Sequence, residues 1–317
     1  RMQTDDEIAG ASDSLLRYIA QAAGFLNDVV ASLQEDLRKC RAENKDLTSG
    51  LNELERTSVQ QAAELTQLRE VAGALAAAQE RLAELAETDV TAGRLAEAHL
   101  DAVAILAELD GPAPQPGQWW GVWAAESGNA VLSAREHGAA ATLDGTKVWC
   151  SGAALCTHAL VTARLPSGER ALFAVDLHAH GVRPLPSTWR NAGMAESDTR
   201  SVQFTSTPAV PVGRPGEYLS RPGFWHGAAG VAACWVGGAR AVAAPLYARA
   251  AGADAHTLAH LGAVDAALAA ADATLTAVAD EFDADPLNRK GRAELLARRA
   301  RAVAETAVDE ALTRTGR

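Results

Sequence analysis

Apolar residues recur every seven positions through most of the first third of the chain. The first row comprises Leu26, Leu33, Cys40, Leu47, Leu54, Leu68, Leu75 and Leu82, with Gln61 as its one polar member. A second row follows four positions later and includes Val30, Leu37, Asn44, Leu51 and Leu65. Alternating spacings of four and three over more than three heptads predict a coiled-coil helix, in which Asn44 resembles a register-setting polar residue. The alternative that stays open is a helical hairpin, broken at Thr48 to Gly50 and recapped by Ser49.

Short apolar runs separated by turn residues fill the middle of the chain, where ten prolines lie between Gly111 and Pro222. The pattern predicts six strands: Trp119 to Glu126, Ala139 to Leu143, Gly145 to Cys150, Ala159 to Leu165, Arg170 to Asp176, and Ser201 to Thr205. We read them as antiparallel, with Pro166 to Gly168 as a loop of hairpin length. Six short strands in this span indicate a small barrel or sandwich.

The last third of the chain is again rich in alanine and helical in pattern. Possible helix breaks lie at Pro245 and around Asp285. Helices, then strands, then helices predict an α+β fold with the strands gathered in one domain. The predicted domains are a helical region with the heptad repeat (1–110), a middle β-domain (111–221) and an incomplete C-terminal helical bundle (222–317).

Composition and charge narrow the range of functions. The 317 residues carry a net charge of -11, which argues against nucleic acid or an anionic membrane surface as the main partner. Four scattered cysteines are too few for a disulfide framework, which favours a reduced, cytoplasmic setting. No targeting segment is visible in the sequence, and we read the apolar stretch from Phe224 to Ala248 as a buried bundle helix rather than a membrane span.

Other clusters of polar residues carry weaker signals. His256 and His260 lie one helical turn apart, but no third ligand is obvious, so no metal site is predicted. Carboxylates from Asp280 to Asp285 lack the ligand spacing of a calcium loop. The arginine-rich stretch from Arg289 to Arg301 is typical of a solvated helix face, with a phosphate site as its alternative.

Three ordered motifs resemble those of the acyl-CoA dehydrogenase family. Gly145, Lys147, Trp149 and Ser151 follow the spacing Gly-x-Lys-x-Trp-x-Ser of a strand that carries flavin contacts in that family. Further matches are Gly193, Met194, Ser197, Val202, Phe204, Val210 and Pro211. The run from Arg221 to Gly227 is similar to the start of the C-terminal bundle in a divergent bacterial branch. The resemblance covers about residues 88–317, and the N-terminal part is atypical.

The resemblance implies a flavin-dependent oxidoreductase with FAD as its hydride acceptor. It further implies an acyl-CoA thioester substrate, α,β-desaturation, an electron-transfer flavoprotein as oxidant and a homo-oligomeric state. Trp149 would offer the flavin an apolar face and Ser151 a hydroxyl, with Glu126 and Ser197 nearby by motif position. The alternative reading of the strand is a core tryptophan and an exposed serine with no ligand.

Departures from the family pattern support a different hypothesis. The family removes an α-proton with a glutamate on a bundle helix, yet no Asp or Glu lies between Phe224 and Gly252. Ala125 and Ala195 stand where a threonine and an arginine are usual, and the family's late bundle segment would follow Arg317, so the C-terminus looks truncated. We therefore expect little or no acyl-CoA dehydrogenase turnover, with His226 as the one substitute base. The alternative function is a catalytically silent structural or oligomerisation protein on a dehydrogenase-like scaffold.

Overall fold

The computed structural model describes residue 77, residues 79–128 and residues 130–316. Its helices and strands belong to one compact unit of the chain, from which Pro114–Gln118 are excluded. The heptad rows from Leu26 to Leu75, and with them the choice between coiled coil and hairpin, lie outside the described residues. Leu82, the last member of the first row, is buried against Ala86 and Cys234.

The order of elements is helix, seven strands, then helices. Residues 79–88 are helical. The helices that follow are α1 (Val90–Glu108), α2 (Glu217–Ser220), α3 (Phe224–Ala248), α4 (Ala255–Ala284) and α5 (Ala293–Thr315). The strands are β1 (Trp120–Trp123), β2 (Leu132–His137), β3 (Ala140–Cys150), β4 (His158–Arg164), β5 (Arg170–Asp176), β6 (Val182–Pro184) and β7 (Arg200–Val212), with a 3-10 turn at Ala195–Ser197 before β7. The prediction of an α+β fold is confirmed.

Five strands form a closed barrel, to which β1 is added at β4 and β6 at β7. The sheet runs β1-β4-β2-β3-β7-β5, and a further pairing of β5 with β4 closes it. Strand β5 is buried on both faces because alternate residues serve two cores. Phe173 and Val175 point to the barrel core, whereas Leu172 and Ala174 pack with Ile105 of α1. Helix α1 is therefore seated on the outside of the barrel, over β4 and β5.

The predicted strands are largely observed, with five corrections. The antiparallel hairpin of β4 and β5 around Pro166 to Gly168 is confirmed. The antiparallel reading of the whole sheet is wrong, because β1 and β2 both pair with β4 in parallel. The two strands predicted on either side of Asp144 are one strand, β3, since Gly145 takes a positive φ of 125° and the chain passes through a bulge.

The other corrections concern β2, β6 and β7. Strand β2 went unpredicted because three of its six residues are polar and exposed at its outer end. Strand β6 has only three residues. Strand β7 continues to Val212 through Pro208 and Pro211, beyond the predicted end at Thr205.

Three long helices pack together after the barrel. The core between α3, α4 and α5 is built mainly from alanine, with Val236, Leu268, Phe282 and Leu296 as larger members. Pro245 does not break α3, which continues to Ala248, whereas the break near Asp285 is confirmed as the end of α4. The proposed domain boundaries at residues 110 and 221 stay a prediction.

Two of the described helices, α3 and α4, are long and apolar enough to cross a membrane by length and composition. Core helices of soluble proteins pass the same test, so this finding is weak evidence of a membrane span. The burial of α3 in the helical core agrees with its sequence-based interpretation as a bundle helix.

Candidate functional site

Trp149 stands at the end of β3 with its indole largely in solvent. Its side chain is 58% exposed, and its φ of 59° lies in the left-handed region. A bulky residue rarely adopts this conformation, which costs about 1–3 kcal/mol and is concentrated at functional sites. The bulge between Lys147 and Cys150 produces the local twist. The alternative reading of Trp149 as a core residue is therefore wrong.

Three hydroxyl side chains lie together beyond the end of β3, and they belong to Ser151, Ser197 and Thr199. We call them the hydroxyl cluster. Thr199 Oγ1 lies 2.8 Å from Ser151 Oγ and 2.8 Å from Ser197 Oγ. Ser197 and Thr199 are buried, and Ser151 is half-buried. Each hydroxyl is both a donor and an acceptor, so the cluster can pass a hydrogen bond to a ligand in either sense.

Backbone contacts hold the hydroxyl cluster in place. Gly152 N–H donates to Ser197 O at 2.7 Å, and Trp123 Nε1–H donates to Ser151 O at 3.0 Å. The turn that carries Ser197 has Met194 and Asp198 on either side, both at positive φ. Asp198 accepts from Ala154 N–H at 2.8 Å and pairs with Arg200. The segment before β7 is thus fastened to the segment after β3.

Glu126 lies in a different environment from the hydroxyl cluster. Its carboxylate pairs with Arg164 Nη2 at 2.9 Å and with Arg170 Nε at 2.9 Å. Close to it is Lys147, whose side chain is buried and donates to Thr162 O and Oγ1. Of the four predicted site residues, the structure therefore links Ser151 and Ser197 through Thr199. Trp149 lies near the end of β3, two positions before Ser151, and Glu126 lies in an ion-pair network.

A second buried group of charges joins α1 to the start of α3. Arg221 bridges Asp101 at 2.9 Å and Glu108 at 2.6 Å, and Glu97 pairs with Arg94. Burial raises the pKa of Glu97 to about 7, against the opposing attraction of Arg94. Burial also raises the pKa of Asp101, although the Arg221 guanidinium acts in the other direction. Small residues on α3 make room, because a methyl group at Gly227 would meet Asp101 Oδ1 at 2.7 Å.

Two histidines, His99 and His226, lie in other surroundings than the hydroxyl cluster. His99 Nδ1 accepts from Trp120 N–H at 3.1 Å, and burial lowers the pKa of His99 to about 4, so its ring is neutral. His226 packs against Phe282 with ring centroids 4.3 Å apart, and burial lowers its pKa. The described residues contain no group of three or more His, Cys, Asp or Glu side chains able to hold a metal ion.

Sequence reasoning missed Thr199, the network around Lys147, and the charges on α1. Thr199 follows the motif residue Ser197 by two positions, and this closeness in sequence was the available signal. Lys147 is a motif residue whose contacts with Thr162 depend on strand pairing across the barrel. Arg221 meets Asp101 over 120 positions of sequence, and no local pattern records that contact.

Comparisons with known proteins give the fold and no family assignment. No protein-family model matches the sequence. No curated protein matches it either. Solved structures do match, at identities that establish the fold alone.

One of these structures is TdsC, a dibenzothiophene monooxygenase from Paenibacillus sp. A11-2, in a complex with FMN and indole. It is 21% identical, with a TM-score of 0.65 over 80% of this chain and 79% of TdsC. A nitrososynthase from Micromonospora carbonacea var. africana is 22% identical, with a TM-score of 0.62 over 76% of this chain and 72% of that one. KijD3, in complex with FMN and a dTDP-linked amino sugar, is 20% identical, with a TM-score of 0.61 over 80% of this chain and 70% of KijD3. The chain has the acyl-CoA dehydrogenase-like fold.

Proposed function

We propose that the protein is a flavin-dependent oxidoreductase whose flavin lies against Trp149. The observation that carries the proposal is the indole of Trp149, which is held out in solvent by a strained backbone beside three linked hydroxyls. An exposed aromatic face suits stacking on a planar ring system. FMN bound to the similar enzymes TdsC and KijD3 supports the same cofactor class.

The residues present fit a flavin in their chemistry. Trp149 offers the stacking surface, and the hydroxyl cluster offers donors and acceptors for polar atoms of the ring, with Ser151 as its least buried member. A bound flavin would supply a two-electron acceptor that no side chain provides. Glu126 takes no part in this proposal, because Arg164 and Arg170 already occupy its two oxygens.

Flavin titration of the purified chain tests the cofactor. We expect FMN or FAD to bind, and Trp149→Ala to weaken binding about tenfold, because one aromatic stacking contact contributes about 1–3 kcal/mol. FAD is the form that the family resemblance implies, and FMN is the form in the similar structures, so both are titrated. Val210→Ala is the control, since Val210 is another exposed apolar residue of the barrel. Absence of binding to either flavin, or equal binding by Trp149→Ala, would contradict the proposal and favour the silent scaffold.

The reaction class rests on a different observation. Desaturation of an acyl-CoA requires a base for the α-proton, and a positioned base contributes about 10²- to 10⁴-fold. Helix α3 carries no Asp or Glu, and His226 is packed on Phe282. The names of the similar enzymes, a monooxygenase and a nitrososynthase, agree with an oxidative reaction on another substrate class. We propose such a reaction, with acyl-CoA desaturation and an electron-transfer flavoprotein partner as the second candidate.

Anaerobic mixing distinguishes the two reaction classes. If the flavin-loaded protein desaturates thioesters, butyryl- to palmitoyl-CoA will bleach its visible absorbance without any other reductant. We expect no bleaching. Bleaching that His226→Ala abolishes would establish desaturation and identify the base.

A further inference from the structure

A polar cavity lies beside the loop between β1 and β2, between that loop and strands β3 and β4. Its volume is about 150 Å³. The polar residues that line it are Glu126, Ser127, Lys147, Thr162 and Arg164. The function proposed above does not use this cavity.

Lys147 is a buried cation on the cavity wall, with Glu126 near it but in no ion pair with it. Its side chain is 4% exposed, and Nζ donates to Thr162 O at 2.9 Å and to Thr162 Oγ1 at 2.7 Å. An ammonium group has three N–H donors, so Thr162 leaves one for a ligand. No carboxylate of the described residues forms an ion pair with this amine. A buried charge is costly unless an opposite charge or further hydrogen bonds compensate it.

The surrounding charges leave an excess of positive charge. Glu126 is shared by Arg164 and Arg170, so one carboxylate faces three cations when Lys147 is included. Arg170 does not line the cavity, so the wall itself carries Lys147 and Arg164 against Glu126, in a chain whose net charge is -11. This local excess of positive charge favours an anionic ligand.

We propose that this cavity binds the phosphate group of a phosphorylated ligand. Lys147 would act as a point charge, and Arg164, at the more exposed side, as a planar donor for phosphate oxygens. The ligand is either the flavin itself, through its own phosphate, or a phosphorylated substrate. The evidence for the site is the charged side chains and the cavity. The flavin phosphate as ligand depends on the function proposed above, whereas a phosphorylated substrate does not.

Sulfate binding to the flavin-free, full-length chain tests the site, because sulfate is a tetrahedral dianion over the whole working pH range. We expect calorimetry to show binding that Lys147→Met weakens about tenfold or more, the effect of losing a charged hydrogen bond. Arg164→Gln provides a second variant whose side chain is 48% exposed, so its folding is at little risk. Arg135→Gln is the matched control, since Arg135 is an exposed arginine of the neighbouring strand β2 and does not line the cavity.

The pH dependence of sulfate binding is a further test, because a lysine with a purely structural role would not affect it. Burial lowers the pKa of Lys147 to about 8, so sulfate binding should weaken as the pH rises through 8, and Lys147→Met should lack this decline. The other charged groups nearby are Glu126 and the two arginines that pair with it, Arg164 and Arg170. Burial raises the pKa of Cys150 to about 12, so that thiol stays neutral. The proposal would be overturned if the native chain bound no sulfate, or if both cavity variants bound sulfate as tightly as the native chain.

Riboflavin, which lacks a phosphate, distinguishes the two sources. If Lys147→Met weakens FMN binding but leaves riboflavin binding unchanged, the site holds the flavin phosphate. If sulfate and FMN bind together and the variant affects only sulfate, the site serves a phosphorylated substrate. Trp149→Ala should leave sulfate binding intact in either case, so failure of the flavin proposal is separable from failure of this one.

Discussion

Single residues in this protein carry properties that their sequence neighbours do not reveal. Trp149 is exposed because the bulge at the end of β3 turns its backbone to a positive φ. Two positions before it, Lys147 is buried and donates a hydrogen bond to Thr162 of β4. The Gly-x-Lys-x-Trp-x-Ser spacing placed both residues on one strand. It could not show that one would be exposed and the other enclosed, because that difference depends on the bulge.

Glu97 provides a prediction at the same scale. Its pKa is about 7 in the folded chain and 4.5 in the unfolded one, because burial disfavours the carboxylate. The folded state therefore binds the proton more tightly, and its stability falls as the pH rises from 4.5 through 7. Relative to Glu97→Gln, the native chain should lose up to about 3 kcal/mol of unfolding free energy across this window, at about 1.4 kcal/mol per pKa unit.

Urea unfolding at pH 5 and pH 8 measures that difference. Glu294→Gln is the control, because Glu294 pairs with Arg298 at an exposed position on α5. Its pH dependence should follow that of the native chain. A native chain that gains stability relative to Glu97→Gln over the same range would show that Arg94 keeps Glu97 ionised when folded.

A helix or strand was predictable from the sequence where both of its faces are buried, or where one face is buried and its apolar residues recur at a regular spacing. The strands β4 and β5 have continuous apolar runs, because one face packs in the barrel and the other on α1. Their hairpin was predictable, but the pairing of β1 with β4 was not, since it is parallel and joins residues 38 positions apart. The long helix α3 was visible in the sequence as the apolar stretch from Phe224 to Ala248, and the break considered at Pro245 does not occur.

The packing of α3 against the helical segment 79–88 gives a prediction at the scale of elements. A methyl group at Gly237 would overlap the carbonyl oxygen of Ala83, so the two helices would have to separate. At the next residue, Gly238, the nearest atom would be Val90 Cγ2 at 3.6 Å, an ordinary contact. Gly237→Ala should therefore destabilise the chain by about 1–3 kcal/mol, the usual effect of overpacking.

Gly238→Ala is the matched control, and its effect should have the opposite sign. Alanine is favoured over glycine inside a helix by about 1 kcal/mol, and no backbone atom opposes the methyl group at this position. Thermal or urea unfolding of the two variants measures both effects. Equal stabilisation by both substitutions would show that α3 and the segment 79–88 do not approach each other so closely in solution.

At the scale of the whole molecule, fold and function separate. At 20–22% identity, the barrel and helices superpose on TdsC, the nitrososynthase and KijD3, so the fold survives wide changes of sequence. The base expected on α3 by the family resemblance is absent, while Trp149 and the hydroxyl cluster are present. The site, not the fold, therefore argues for a flavin and against acyl-CoA desaturation.

Assembly is the last property of the whole molecule that the sequence predicts. A helix with the predicted heptad rows through Leu47 and Leu54 would carry an apolar stripe, which another copy or a second helix of the same chain would have to cover. If the stripe joins two copies, Leu47→Asp combined with Leu54→Asp should convert a dimer into a monomer that keeps the circular dichroism of the folded barrel and helices. Light scattering on the native and variant chains measures the mass.

Ser49→Asp combined with Gln60→Asp adds the same charge outside both rows and should leave the dimer intact. A native chain that is already monomeric would rule out the intermolecular coiled coil and support the hairpin, in which case the aspartates should lower stability without changing the mass, because a buried charge without a partner opposes helix packing.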